Sequence, residues 1–197
     1  LAYVFQISLA LIFVLPLVWM IISSLKPEAD LFKDMSSIAT FFVSNPSLDN
    51  YKEMLSRSLV LKSTMNSIIY IGLILLIGIP VNALCGYALA RLKFPGKNFI
   101  LSAIIALYIV PFETVVLPLY LVSNTLKITN TFFALFVPFI GNCFNIFLFR
   151  QFFMSLPKEL EEAASIDGCG VFGTFVRVVL PNTKPVIATA TVLTIVT

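Results

Sequence analysis

Glu113 is the only acidic side chain set within a long apolar stretch of this sequence. A carboxylate at membrane depth is costly, so it serves a function or is sheltered. Glu113 therefore reads two ways: as the lining of a translocation path, or as a group near an interface or hydrogen-bonded at a helix break made by Pro111 and Pro118. Asn82, Asn142 and Asn145 sit in similar surroundings and could bind the hydroxyls of a solute or join neighbouring helices. Little else could do bond chemistry. There is no His, which removes the commonest general base and metal ligand, and no metal site is expected. Cys85, Cys143 and Cys169 are odd in number, widely spaced and set in apolar sequence, so they read as small apolar residues rather than a disulfide framework. Gly168, Gly170 and Gly173 fit the GxGxxG spacing but lack a preceding strand, and a turn between helices is the better reading. No GxxxxGK[ST] loop is present, so ATP is not bound by that device, and no cofactor is expected. An intramembrane enzyme would need a nucleophile with a base, or a carboxylate pair, and a lone Glu113 offers neither.

The elements that would position these residues are set by the composition. Apolar residues make up 59% of the 197 residues and charged ones 12%, against about 45–50% and about 25% in soluble domains. Mean hydropathy is +0.99. One soluble core could not hide so much apolar surface, so the chain reads as an all-α, polytopic membrane protein embedded in a lipid bilayer. The net charge of +3 is too small to suggest a nucleic-acid partner.

A spanning helix needs about 20 apolar residues. Residues 1–25 carry no charge and form the first expected span. A second is expected over 64–90, long enough that tilt or a kink at Pro80 must absorb the excess. A third over 98–121 is interrupted by Pro111, Glu113 and Pro118, and a fourth over 131–149 contains Pro138. Residues 185–197 begin an incomplete fifth. Leu1 is not Met and Thr197 falls inside an apolar run, so further segments are expected beyond both.

The connections differ in chemistry. Residues 26–63 carry five basic side chains (Lys26, Lys33, Lys52, Arg57, Lys62) and five acidic ones (Glu28, Asp30, Asp34, Asp49, Glu53), as expected of an external, water-exposed loop with short helices. Residues 91–97 hold Arg91, Lys93 and Lys97 and no acid in a tight turn, which marks the cytoplasmic side. Residues 150–184 must then be cytoplasmic too.

That last segment is neither a span nor a flexible linker. Leu156, Leu160, Ala163, Ala164 and Asp167 recur at helical spacing; Pro157 suits a first turn, Glu159, Glu161 and Glu162 suit the positive end of a helix dipole, and Gly168 can stop the helix. A second amphipathic stretch, Phe172 to Val179, leads to Leu180 and Pro181, with Thr183 and Pro185 as cap and start of the next span. A helical hairpin lying against the membrane surface is expected. The acidic turn and paired alanines make a poor membrane anchor, which favours docking on a protein. Phe-rich stretches elsewhere are expected to face lipid.

The string Glu162, Ala163, Ala164, Gly168 and, after nine residues, Val178, Val179, Leu180, Pro181 resembles the EAA loop of the membrane subunits of ATP-binding-cassette importers. The wider pattern, from Pro111 and Phe112 through Leu117 to Tyr120, Arg150 to Phe153, Leu156 to Leu160 and Lys184, Pro185, looks like the carbohydrate branch, in particular the second permease of maltose-type importers. The resemblance implies a helical type I importer permease fold, here a fragment of about five of six spans, in a bacterial inner or plasma membrane. It implies as partners a second permease subunit, ATP-binding-cassette ATPase subunits, an extracytoplasmic sugar-binding protein and a carbohydrate substrate. ATPase coupling is expected at Leu160, Glu162, Ala163, Ala164, Asp167, Gly168, Leu180 and Pro181, and Glu113, Asn142 and Asn145 are candidates for the translocation path. On this reading the chain transports and catalyses no bond chemistry. The alternative, a secondary transporter or channel subunit, would show inverted repeats with broken helices, and no such repeat is visible.

Overall fold

The computed structural model describes residues 2–31, 38–43 and 45–196. Lys33 and Asp34 of the expected external loop, and the end residues Leu1 and Thr197, lie outside the described residues. Among those described, all regular structure is helical, in two compact units, residues 1–66 and 67–197.

The first unit opens with α1 (Ala2–Ser24), whose 23 residues carry no charge and include Pro16. The chain then forms α2 (Glu28–Leu31), a 3-10 turn (Ile38–Phe41) and α3 (Asp49–Ser56). The last carbonyls of a helix lack intrahelical partners. Asn50 supplies them at the end of α1: its Nδ2 donates to the carbonyls of Ser24 at 3.1 Å and Lys26 at 2.7 Å. The Ser47 N–H donates to the Leu25 carbonyl at 2.8 Å, and the hydroxyls of Ser24 and Tyr51 lie 2.6 Å apart. The loop is thereby fastened to the end of α1.

The unit ends within α4 (Ser58–Leu73), which starts six residues before the expected boundary and takes Lys62 into its first turns. Helix continues through a π segment, Ile74–Gly78, into α5 (Ile79–Arg91), an apolar stretch of 34 residues in all. Pro80 cannot donate to residue 76 and its ring crowds that carbonyl; the wider π turn just before it opens the ladder where the proline requires it. Near the other end of the second unit the same pairing recurs. A π segment, Phe175–Val179, ends two residues before Pro181.

The third expected span consists of two helices, α6 (Lys97–Ile109) and α7 (Phe112–Thr125), bent by 103° at Val110 and Pro111. Pro111 is the break; Pro118 sits inside α7 without ending it. The fourth apolar stretch divides into α8 (Phe132–Ile140) and α9 (Cys143–Ser155) around Gly141 and Asn142, so Arg150 to Ser155 belong to α9 rather than to the following loop.

Beyond α9 lies α10 (Glu159–Ile166), with Pro157 outside its first turn. The second arm of the expected hairpin is a correction. From α11 (Val171–Thr174) the chain stays helical through the π segment and a 3-10 turn, Leu180–Thr183, into α12 (Lys184–Val196). No stop occurs at Leu180 or Pro181, because Thr183 turns inward and donates to the Leu180 carbonyl at 2.6 Å instead of capping a new helix.

The core of the second unit is where α5 crosses α9, with Phe175, Val179, Val186 and Ala190 closing it. Phe149 and Phe153 are fully buried there, contrary to the expectation that Phe-rich stretches face lipid. The crossing is close because Gly86 has no side chain: a Cβ there would stand 2.7 Å from Phe149 Cβ and 3.0 Å from the Arg150 nitrogen. Gly78, Asn82 and Gly86 recur every four residues, so one face of the helix lets the neighbouring backbone approach.

Candidate functional site

Two neighbouring cavities open beside the break in the fourth stretch. One, of about 600 Å³, is lined by Ser67, Tyr70, Asn82, Asn142, Asn145 and Thr194 among apolar neighbours. The other, of about 710 Å³, shares Asn142, Asn145 and Thr194 and adds Tyr108 and Val115. The sizes suit a small-molecule ligand, and the walls are apolar with a few convergent polar groups.

The asparagines are fixed by the backbone they serve. Asn82 Nδ2 donates to the Ile140 carbonyl at 3.0 Å, and its Oδ1 accepts from the Asn142 N–H at 3.0 Å. Asn142 caps α9, its Oδ1 accepting from the Asn145 N–H at 2.9 Å. Asn145 in turn donates from Nδ2 to Thr194 Oγ1 on α12 at 3.1 Å, while its buried Oδ1 has no protein partner. The structure therefore brings Asn142 and Asn145 together on both cavity walls. Glu113 is not brought into that lining. It lies exposed in the first turn of α7, next to Phe112, which does line both cavities, and there a carboxylate meets the positive end of the helix dipole.

The second candidate region is α10. Glu161 and Ala164 face the body of the unit, whereas Leu160, Glu162, Ala163, Ile166 and Asp167 are exposed. Ala163 and Ala164, alike in sequence, thus differ in surroundings, the first exposed and the second buried. Ile166 is 87% exposed, and Val171 and Phe172 lie open after the following turn. That turn is a reversal built on Gly168 at φ +79°: the Gly168 N–H donates to the Ser165 carbonyl at 3.1 Å and the Cys169 N–H to that of Ala164 at 2.9 Å. Leu180 packs against the core and Pro181 is exposed.

Sequence reasoning missed what holds α10 in place. Arg91 Nε lies 2.7 Å from Glu161 Oε1, a charge contact whose N–H is turned off the hydrogen-bond line. Arg91 Nη2 donates to the Leu156 carbonyl at 2.6 Å, and the Tyr87 hydroxyl stands 3.4 Å from Glu161 Oε2. The basic turn 91–97 and α10 are thereby fastened to each other. Seventy residues separate the partners, and no local spacing links them.

A family model described as the binding-protein-dependent transport system inner membrane component matches residues 78–197. The chain belongs to this family. Among curated relatives, it is 31% identical over 186 residues to the arabinooligosaccharides transport system permease protein AraQ of Halalkalibacterium halodurans, covering 94% of this chain and 66% of that one. It is 33% identical to the probable ABC transporter permease protein YurM of Bacillus subtilis, covering 91% and 59%, and 34% identical to the sulfoquinovosyl glycerol transport system permease protein SmoH of Agrobacterium fabrum, covering 90% and 62%. The chain thus spans 59–66% of the length of these relatives. A crystal structure of a bacterial ABC transporter involved in the import of the acidic polysaccharide alginate superposes with a TM-score of 0.86 at 23% identity, covering 99% of this chain and 68% of that one. The inner membrane component family and this likeness bear out the expected all-α importer permease fold and its multi-pass place in the inner membrane.

Proposed function

We propose that the chain is the permease subunit of an ATP-driven carbohydrate importer, forming half of the translocation pathway with a second permease subunit. ATP-binding-cassette ATPase subunits dock on the EAA loop within residues 150–184, and an extracytoplasmic sugar-binding protein delivers the carbohydrate. Residues 91–97 and 150–184 lie in the cytoplasm and 26–63 outside; the contact of Arg91 with Glu161 supports placing the first two on one side.

The observation that carries this reading is the division of α10. Its inner face is tied to α5, while Leu160, Glu162, Ala163, Ile166 and Asp167 stand in the open with little bulk around the alanine, a surface suited to a cleft in another protein. Leu180 and Pro181 support the arm behind it. Closure of the ATPases would move α10 as a rigid body and open the path alternately to each side. Asn142 and Asn145 offer that path hydroxyl-binding groups, and Glu113 stands beside it at the mouth of α7. Relatives named for arabinooligosaccharides and sulfoquinovosyl glycerol support a carbohydrate as the cargo.

Copurification of the full-length protein with an ATPase subunit, followed by sugar-stimulated ATP hydrolysis in proteoliposomes, tests the assignment. Glu113→Gln should keep assembly and alter uptake, since the isostere keeps shape and removes charge; uptake kinetics unchanged across sugar concentrations would remove Glu113 from the path.

A further inference from the structure

Three acids stand in the first turn of α10, and only Glu161 turns inward. Glu159 and Glu162 are exposed; the side chain of Glu161 is 21% exposed and that of its partner Arg91 is 9% exposed. The same guanidinium holds the carbonyl of Leu156, the residue that caps α9. Three helices therefore meet on one side chain. The turn at Gly168 and the buried Ala164 hold the far end of α10, and the Arg91–Glu161 pair ties the helix to α5.

Behind Arg91, α5 runs back as one helix to Asn82 and Ile79 in the cavity wall. Tyr87, one turn back, packs its ring 5.7 Å from Phe153 and 5.0 Å from Phe175. Gly86 seats α5 on α9, and Asn82 stands in the cavity wall. From Arg91 to Asn82 is nine residues, about 14 Å of helix.

We propose that Arg91 is a positioning residue that makes α5 the lever between the docking helix and the cavity. The inference rests on the reading of α10 as the ATPase docking helix. Breaking a shielded ion pair by removing one partner leaves an uncompensated charge, so α10 and α5 move together rather than slide past one another. The exposed docking face, in contrast, does not use Arg91 or Glu161, and docking and transmission are separable on this chain.

The test uses the full-length protein assembled with its ATPase and second permease, in a background without the native cysteines. Ser67→Cys places a thiol in the cavity wall, and the readout is the change in its labelling rate by an impermeant maleimide on adding ATP with vanadate. No sugar need be identified. In the parent, ATP changes the rate. Arg91→Ala and the isosteric Glu161→Gln should still copurify with the ATPase, with the ATP response reduced roughly two- to thirtyfold. The conservative Arg91→Lys, which keeps a positive donor for Glu161 and the Leu156 carbonyl, should retain most of it. A full ATP response in Arg91→Ala or Glu161→Gln overturns the lever. So does loss of ATPase copurification in Arg91→Ala and Glu161→Gln, since the pair would then serve assembly rather than transmission. A parent that binds no ATPase fails at the docking reading itself, and the lever falls with it.

Discussion

The side chain of Asn82 spans the break in the fourth apolar stretch, donating to the Ile140 carbonyl and accepting from the Asn142 N–H, each at 3.0 Å. One amide thus satisfies the backbone on both sides of Gly141. In a bilayer no water is available to do so, which is why irregular backbone survives only where protein or a polar cavity supplies partners.

Asn82→Leu keeps the volume and strands both groups. Each orphaned buried group costs about 1–3 kcal/mol, so purified protein in detergent should melt several degrees lower, with the loss larger than for Asn142→Leu, which removes one cap. Equal melting temperatures for Asn82→Leu and the parent would show that the break is held by other means.

Gly86 makes a sharper packing test. A methyl there meets Phe149 Cβ at 2.7 Å and backbone at 3.0 Å, so the helices must separate. Gly86→Ala should destabilise by about 1–3 kcal/mol even though alanine is the better helix former. Gly72→Ala, where nothing lies within 4 Å, should be neutral or stabilising. If the two variants melt alike, α5 and α9 do not cross at Gly86.

The sequence made some of this legible and concealed the rest for physical reasons. Gly168 could be read as a stop because helix termination is local: an acidic turn, a run of helix formers and a glycine are adjacent in the chain. Pro111 announced the break between α6 and α7 for the same reason. The burial of Phe149 and Phe153 was not legible, because lipid and protein core are equally apolar and the contrast that reveals a soluble helix's inner face disappears. Gly78, Asn82 and Gly86 were visible at a spacing of four and would have marked the close crossing. The contact of Arg91 with Glu161 had no signal at all, since it depends on how α5, α9 and α10 pack. The π segments were equally hidden, although each stands just ahead of a proline.

Orientation can be read directly. With the three native cysteines removed, Asp49→Cys should react with an impermeant thiol reagent in intact cells and Lys158→Cys should not. Asp49 suits the probe because its side chain is 79% exposed. The reverse labelling pattern would invert the assignment of sides.

Gly168 separates backbone conformation from bulk. At φ +79° it occupies the left-handed region, yet a Cβ added there meets nothing within 4 Å, so steric crowding inside this chain is not what excludes a side chain. The cost lies in the backbone alone. Asparagine tolerates this region and valine does not, the difference amounting to about 1–3 kcal/mol. Gly168→Val should therefore shift the turn that joins α10 to α11 and reorient Val171 and Phe172 relative to Ala163. The apolar stretches, hydrogen-bonded within themselves, should still insert. The expected phenotype is normal membrane abundance with uptake lost, and with the ATPase weakly bound or its hydrolysis no longer responsive to sugar. Gly168→Asn, of nearly the same polarity as the open surface and able to hold the same φ, should retain most uptake. If Asn fails as completely as Val, bulk at the docking surface rather than backbone strain is what forbids a side chain, and the ATPase must approach Gly168 itself. If Val supports coupled uptake at the parent level, the turn has no part in coupling.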